Sequence, residues 1–483
     1  MKKTYFVWAV LALVALACSQ EPGPEFTNYY VSPSGSDKNT GLSEAEAFAS
    51  LEQAAAILSA GCTVFVMPGT YEEEVIQEAK GREDAPIVWI AFDSAQIPVI
   101  KGKGGGGWSE TYGLTLDRAD HTHLVMLKAT DFSFGLYADS CTGLLVDRCV
   151  ANDNFKTGIL IEKSTNVVVR HCSARNNAVN NSKGEGNGIW AEDCYNVLFD
   201  ADTGNGNGAE PWGGTGLQFF KCHGGEMVSG VADSNRGNGI LIEDCTDIVV
   251  RGNTCFYNFA DFSFDDWWCG GIWVDGGHDI TVEQNLFAYT EGADIEISDE
   301  DSTDPTGYIV RNNVCIGGYW GIWIGGLESG EVYCNTVVDN TEAGIWVSDP
   351  NYYPGPAKNV TVVNNIVSMS GKPGLLIDAG SCDATCSFDY NLYHNTSGSV
   401  VVNWEGNIVS FDSYVVSSGW GTHSLEANPE FSDRNMYDYQ LEETSPAVDA
   451  GWDSFKPDID FDGNPRTGHC DIGAFEYIPS GFD

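Results

Sequence analysis

Basic residues are scarce in this chain. Twenty-four lysines and arginines stand against 69 aspartates and glutamates in 483 residues, for a formal net charge of -45. That deficit argues against nucleic acid and against an anionic membrane surface as partners, since Lys and Arg hold both. It also disfavours a polyanion unless a cation or a local basic patch intervenes. Long apolar runs are missing beyond the first 20 residues, so no later segment is long enough to cross a bilayer. Helix-length periodicity is nearly absent as well. Its one clear instance is SLEQAAAILSAG from Ser50, which predicts an amphipathic helix suited to plugging an N-terminal end. Apolar side chains, by contrast, make up 42% of the chain and glycines number 56, which excludes a disordered polymer.

The opening MKKTYFVWAVLALVALACSQ places two lysines before an apolar stretch that ends in small residues, the pattern of a secretory signal. Its "ALAC" resembles the lipobox of bacterial lipoproteins, with Ala15 where leucine is commoner. That resemblance implies lipidation at Cys18, residues 1–18 as signal peptide and 19–27 as linker. The expected location is periplasmic or at the outer membrane or cell surface, with membrane contact only through the lipid. Setting Cys18 aside leaves 14 of the 15 cysteines, an even number that predicts some disulfides in an exported chain.

One motif recurs along the chain: GLYADSC from Gly135, GILIEKS from Gly158, GIWAEDC from Gly188, GLQFFKC from Gly216 and GILIEDC from Gly239. GIWVDGG from Gly271, GADIEIS from Gly292, GIWIGGL from Gly321, GIWVSDP from Gly344 and GLLIDAG from Gly374 continue it. Most copies are followed by a second strand-like run such as TNVVVRHC or TDIVVRGN. Asparagines follow at the turns, among them Asn176, Asn177, Asn312, Asn313, Asn364 and Asn365. Short β-branched runs with Gly/Asn turns, recurring a little over 20 residues apart without intervening helices, predict a β-solenoid with parallel strands stacked at about 4.8 Å. Equivalent residues then form columns. Cys141, Cys194, Cys222 and Cys245 share one, and Cys149 and Cys172 another, as small stacked thiols inside the coil.

Within each motif the second and fourth positions are apolar and point inward, so the third and fifth point outward. The third column reads Tyr137, Leu160, Trp190, Gln218, Leu241, Trp273, Asp294, Trp323 and Trp346. The fifth includes Asp139, Glu162, Glu192, Glu243, Asp275 and Glu296. Tryptophans beside carboxylates suit sugar rings, whose C–H faces lie on indole while their hydroxyls bond to the acids. Coverage of the rings by the protein's own loops is the alternative. The insertion CFYNFADFSFDDWWC (255–269) juts out next to Trp273, bringing Trp267 and Trp268 to the rim, and a second insertion surrounds Trp212.

Glu243, Asp275 and Glu296 are expected on successive rungs, about 5 Å apart for neighbours and about 10 Å for alternate rungs. Paired acids at such separations are used in glycoside hydrolysis, and like charges raise one partner's pKa. His278 and Arg251, with Arg311, are further acid–base candidates. The same carboxylates with Asp294 offer oxygen ligands for Ca²⁺, and a solvated acidic rib is the bland alternative. "DIDFDG" near the end reads as a turn, and "CDATC" as a local disulfide or two free thiols.

The opening "YYVSPSGSDKNTGLSEAEAFASLEQAAAIL...VFVMPGTYEEEV" and the tail "SPAVDAGWDSFKPDIDFDGNPRTGHCDIGAFEY" resemble bacterial secreted right-handed parallel β-helix proteins of the pectate-lyase-like superfamily. The resemblance implies an all-β right-handed parallel β-helix over 28–380, an N-terminal capping helix, and a C-terminal closing segment over 381–483. It implies action on polysaccharide as a glycoside hydrolase or polysaccharide lyase. The alternative is a noncatalytic surface glycan-binding or adhesion protein. In the superfamily's lyases Ca²⁺ bridges the substrate uronate while a Lys or Arg takes the proton. The hydrolase signature of paired aspartates, Gly-His-Gly and Arg-Ile-Lys is represented here only by the fragment "WVDGGHD".

Overall fold

The computed structural model describes residues 26–104, 110–179, 186–209, 213–259, 270–300, 305–348, 353 and 355–479. The expected signal peptide, Cys18, Trp212, Trp267, Trp268 and Cys269 lie outside these residues. No helix among the described residues is long and apolar enough to cross a membrane.

The chain winds into a parallel β-helix whose crossovers take the right hand. Each coil contributes a strand to each of three faces. One coil, for example, runs through Thr157–Glu162, Thr165–Arg170 and Ser173–Arg175. Strands of neighbouring coils pair in parallel, as in Leu160↔Trp190 and Val168↔Leu198. The third face is a 14-stranded sheet. In two coils the first two faces merge into single 12-residue strands, Ile240–Arg251 and Ile272–Glu283.

The expected alternation holds. Ile159, Ile161, Ile189, Ala191, Ile240, Ile242, Ile272, Val274, Ile322 and Ile324 are all buried in one continuous core. The glycine opening most of the motifs is sterically required. A Cβ at Gly188 would sit 2.4 Å from the Gly216 carbonyl of the next coil. Corners are turned by residues with positive φ, such as Lys163, Asp193, Lys221 and Asp244 after the first face.

Two ladders of buried asparagines bind the coils at other corners. One runs Asn154, Asn177, Asn207, Asn235, Asn258. Each side-chain oxygen accepts from both the backbone and the side-chain amide of the preceding member. The other runs Asn253, Asn285, Asn313, Asn335, Asn365, Asn391. The repeat places an amide wherever a turn leaves a backbone N–H without a strand partner.

The N-terminal plug forms as the sequence predicts, but is short. Ser50 caps a helix over Leu51–Ala55 by accepting from the Gln53 amide, and Leu51, Ala54 and Ala55 are buried. At the other end the coil strands continue past residue 380 to Leu425–Glu426, which pairs with Leu392–Asn395. The final coil is covered by the antiparallel hairpin Val401–Trp404/Asn407–Ser410 and the helix Phe411–Ser418. The tail that follows does not cap the end; it runs back along the outside of the coils. Gln284 and Asn312 donate to its Asp460 and Ile459 carbonyls, and Arg466 donates to Asn312. None of the expected disulfides is formed in this structure: all 13 described cysteines are free thiols, and all but Cys382 are buried. Cys382 and Cys386 take the free-thiol alternative.

Candidate functional site

The outward face of the motif strands carries the predicted stripe over part of its length. In the third column Tyr137, Leu160, Trp190, Gln218, Leu241 and Trp273 follow one another in register. In the fifth, Asp117, Asp139, Glu162, Glu192, Phe220, Glu243 and Asp275 do the same.

The next coil departs from expectation. Aligned on its glycine, GADIEIS would place Asp294 among the tryptophans and Glu296 among the acids. The observed register is shifted by two residues: Ile295 pairs with Ile272, Glu296 with Trp273, and Ser298 with Asp275. A shift of two preserves the inward–outward parity, so hydrophobic alternation cannot tell the two registers apart. The observed one places Ile295 and Ile297 in the main core, which fills it better than Ala293 and Ile295 would, and Ala293 is buried instead in the cluster of Trp320 and Trp323.

Asp294 consequently takes the place that glycine holds in other coils. It is fully buried, accepting from Thr290 Oγ1 at 2.8 Å and Asn340 Nδ2 at 2.7 Å. Burial pushes its carboxyl well above the ordinary range. It is therefore not brought together with Asp275 and Glu296 as a Ca²⁺ ligand. Among the described residues no group of three or more His, Cys, Asp or Glu side chains is arranged to hold a metal ion.

Glu296 stands between the Trp273 and Trp323 rungs and is 2% exposed. Its Oε1 accepts from Ser298 Oγ at 3.0 Å and Tyr353 Oη at 3.2 Å, and Trp273 Nε1 donates to Ser298 Oγ at 2.8 Å. Burial, reinforced by the charge on Asp275 and opposed by the Ser298 bond, holds Glu296 well above the carboxylate range. Neutral and enclosed, it anchors a relay that fixes the Trp273 indole. Ser298 and Tyr353 were missed from sequence because the register shift hid the first and an insertion carries the second.

Asp275 is half-buried and holds a perturbed proton. Burial raises its carboxyl to about 8, with the charges of Glu300 and Glu243 adding and the Glu300 backbone N–H, 3.4 Å from Oδ1, opposing. Glu243 is its in-register neighbour, also half-buried. Lys221 lies one rung before Glu243, over the Phe220 ring at 4.4 Å. His278 follows Asp275 across the Gly276–Gly277 corner, with its Nδ1 3.1 Å from Thr306 Oγ1. Arg251 sits at the far end of its strand on the second face, paired with Glu226 at 3.3 Å and Glu283 at 3.6 Å, and does not join the acids.

The tryptophan column is not uniformly open. Trp190 and Trp273 are half-buried. Trp323 is 3% exposed, stacked on Trp346 at 4.4 Å and tilted against Trp320 at 5.1 Å, in a cluster that Tyr353 joins. Trp346 also stacks on Trp320 and donates Nε1 to Asp378 at 2.9 Å. The stripe is thus interrupted by the protein itself at Trp323, while Trp346 beyond it stays half-buried. At its other end Tyr112, Phe134 and Tyr137 form an aromatic cluster, with Tyr137 Oη donating to Glu162.

Residues 112–261 and 257–413 match the family described as right handed beta helix region. The uncharacterized protein YwoF of Bacillus subtilis (strain 168) is 25% identical over 488 residues, spanning 92% of this chain and 99% of that protein. An alginate lyase from Paenibacillus sp. str. FPU-7 superposes with TM-score 0.45 at 16% identity, covering 57% of this chain and 95% of its own. Pectate lyase Pel9A superposes with TM-score 0.42 at 17% identity, covering 94% and 96%. With a family match over more than half its length, the chain belongs to the right-handed β-helix family.

Proposed function

We propose that the chain acts on polysaccharide, cleaving a glycosidic bond hydrolytically at Asp275 and Glu243 on the outer face of the coils. The observation that carries this reading is the raised Asp275 carboxyl, at about 8, in register with a second carboxylate and on the same strand as a fixed indole. A carboxyl that keeps its proton at neutral pH is a general acid for the leaving glycosidic oxygen. Glu243, on the adjacent rung, is the partner for the anomeric carbon. A rung spacing of about 4.8 Å favours the short separation of retaining chemistry. Trp273 and Trp190 supply faces for sugar rings, and the acidic column favours neutral glycans over polyuronates. Attachment at a membrane through a lipid on Cys18 belongs to the same proposal, as does export.

The experiment is a glycan panel read for new reducing ends and for unsaturated-uronate absorbance. Reducing ends without absorbance are expected. Unsaturated product would transfer the reading to a lyase, with Lys221 as the cation nearest the acids. Binding without any product would make the chain an adhesion or glycan-binding protein. On the substrate found, Trp190→Ala is expected to raise KM about tenfold while kcat stays within about twofold, because a platform two turns or more from the acids binds ground and transition states alike.

A further inference from the structure

Cys334 and Cys470 differ from the stacked core thiols in joining a coil to the returning tail, although their sulfurs too face carbonyls, Phe455 O at 3.4 Å from Cys334 Sγ and Asp471 O at 3.3 Å from Cys470 Sγ. The stacked thiols of the core columns are engaged with carbonyls of their own and the adjoining coil. Cys141 Sγ lies 3.4 Å from Asp139 O and 3.5 Å from Leu116 O, and Cys194 Sγ lies 3.1 Å from Glu192 O and 3.5 Å from Ile161 O. Cys334 instead turns a corner of a coil outward, at φ 54, and meets Cys470 of the returning tail with Sγ···Sγ at 3.7 Å. The two lie 136 residues apart in sequence, and both are fully buried. They sit in a small apolar cluster with Tyr333 and Val363, against which Ile309 and Phe455 pack. Among the described residues no third His, Cys, Asp or Glu joins them in a metal-ligating group.

We propose that Cys334 and Cys470 form a disulfide that staples the C-terminal tail to the outside of the coils. The tail is not part of the strand ladders. It is held on the coils by apolar contacts, such as Leu441, Ala447 and Ile472 with Ile366 and Leu392, and near this point by hydrogen bonds from Asn364 to the Trp452 and Phe455 carbonyls, from the Trp452 amide to Asn364 Oδ1, from the Gly473 amide to the Asn364 carbonyl and from the Ala474 amide to Thr336 Oγ1, to which a cross-link adds a covalent tie. In the cross-link the two thiols give up two protons and two electrons to a disulfide oxidant, oxidised glutathione or an oxidised protein dithiol, which leaves as two thiols. Since both sulfurs are sealed once the tail is seated, exchange precedes the final docking of residues 452–475. Closing a loop of this length removes much of the unfolded chain's freedom.

The test uses the full chain refolded in a glutathione redox buffer, then denatured and alkylated without reductant before peptide mapping. The expected result is one joined pair of peptides carrying Cys334 and Cys470, lighter by two hydrogens than the separate thiols. Reductant is expected to lower the melting temperature of this protein by about 3 °C, and to leave the Cys334→Ser/Cys470→Ser double variant unmoved. Alkylation of both sulfurs, pairing of either with another cysteine, or a joined pair with no effect of reductant on melting would each overturn the staple.

Discussion

Asp275→Asn should lose about 10²–10⁴-fold in turnover and, at the same time, make the folded chain more resistant to denaturant at alkaline pH. Both effects come from one proton. In the folded chain the Asp275 carboxyl titrates near 8 because burial and the neighbouring charges of Glu300 and Glu243 disfavour its ionised form. In the unfolded chain an aspartate titrates near 3.9. Between about pH 4 and pH 8 the folded state therefore holds a proton that the unfolded state has shed. Stability from this group falls as pH rises through that window, and is lowest once the folded carboxyl ionises. Asparagine carries no charge at any pH, so the variant escapes the loss. Its gain over the parent should grow to about 2 kcal/mol between pH 5 and pH 9, after discounting for the partial exposure of the group. Denaturant midpoints at the two pH values measure it. Activity of the parent should fall on the alkaline side as pH passes about 8, where the acid loses its proton. A variant that keeps full turnover, or a parent whose activity rises beyond pH 9, removes Asp275 from the acid role.

The largest loss of stability should come from a residue far from any chemistry. Asn313→Ala is expected to cost about 3–6 kcal/mol, more than most single large-to-small changes in the apolar core. Its Oδ1 accepts from the backbone and side-chain amides of Asn285, both at 3.0 Å, and its Nδ2 donates to Val282 O at 2.8 Å and Asn335 Oδ1 at 3.0 Å. Alanine leaves the Asn285 backbone N–H and the Val282 carbonyl without these partners inside the wall, where water does not reach, and breaks a chain of polarised amides. Equilibrium unfolding gives the number. A cost below about 1 kcal/mol would mean that the ladder is a consequence of the coil's register and not one of its determinants.

The same corner shows how much a ladder position tolerates. Asp202 occupies the column of Asn253 and Asn285, accepting from the Cys172 amide at 2.7 Å, and burial holds its carboxyl well above the ordinary range. It is kept there as a neutral acid. Cys149 and Cys172 precede it in the column, as a small thiol also fits a corner that asks for little more than one hydrogen bond.

The coil architecture was legible in the chain because each rung repeats one local solution. A glycine clears the next coil's carbonyl, two apolar residues point inward, and an amide closes the corner. These are short-range requirements, and they recur often enough to be read without a partner strand in view. The inward sets and the adjacent rungs of Glu243 and Asp275 follow from them. The site was legible only where the repeat was regular. At GADIEIS a two-residue shift leaves the alternation intact, so the sequence held two equivalent registers. Only the volume available beneath the neighbouring coils chose the one that buries Glu296 and withdraws Asp294 into the wall.

The chain alone thus determined a stack of parallel coils with an outward column of acids beside rings, because strand parity and turn chemistry are written residue by residue, while the right hand came only from the family resemblance. Tertiary structure decided which of those rings face out. Trp323 is shut beneath a neighbouring Trp320 and an inserted Tyr353 while Trp346 stacks on both tryptophans and stays half-buried, contacts between segments that no local pattern links. It also decided that the tail returns along the wall to bring Cys470 against Cys334. Both outcomes depend on how distant segments share surface, which only the folded chain can settle.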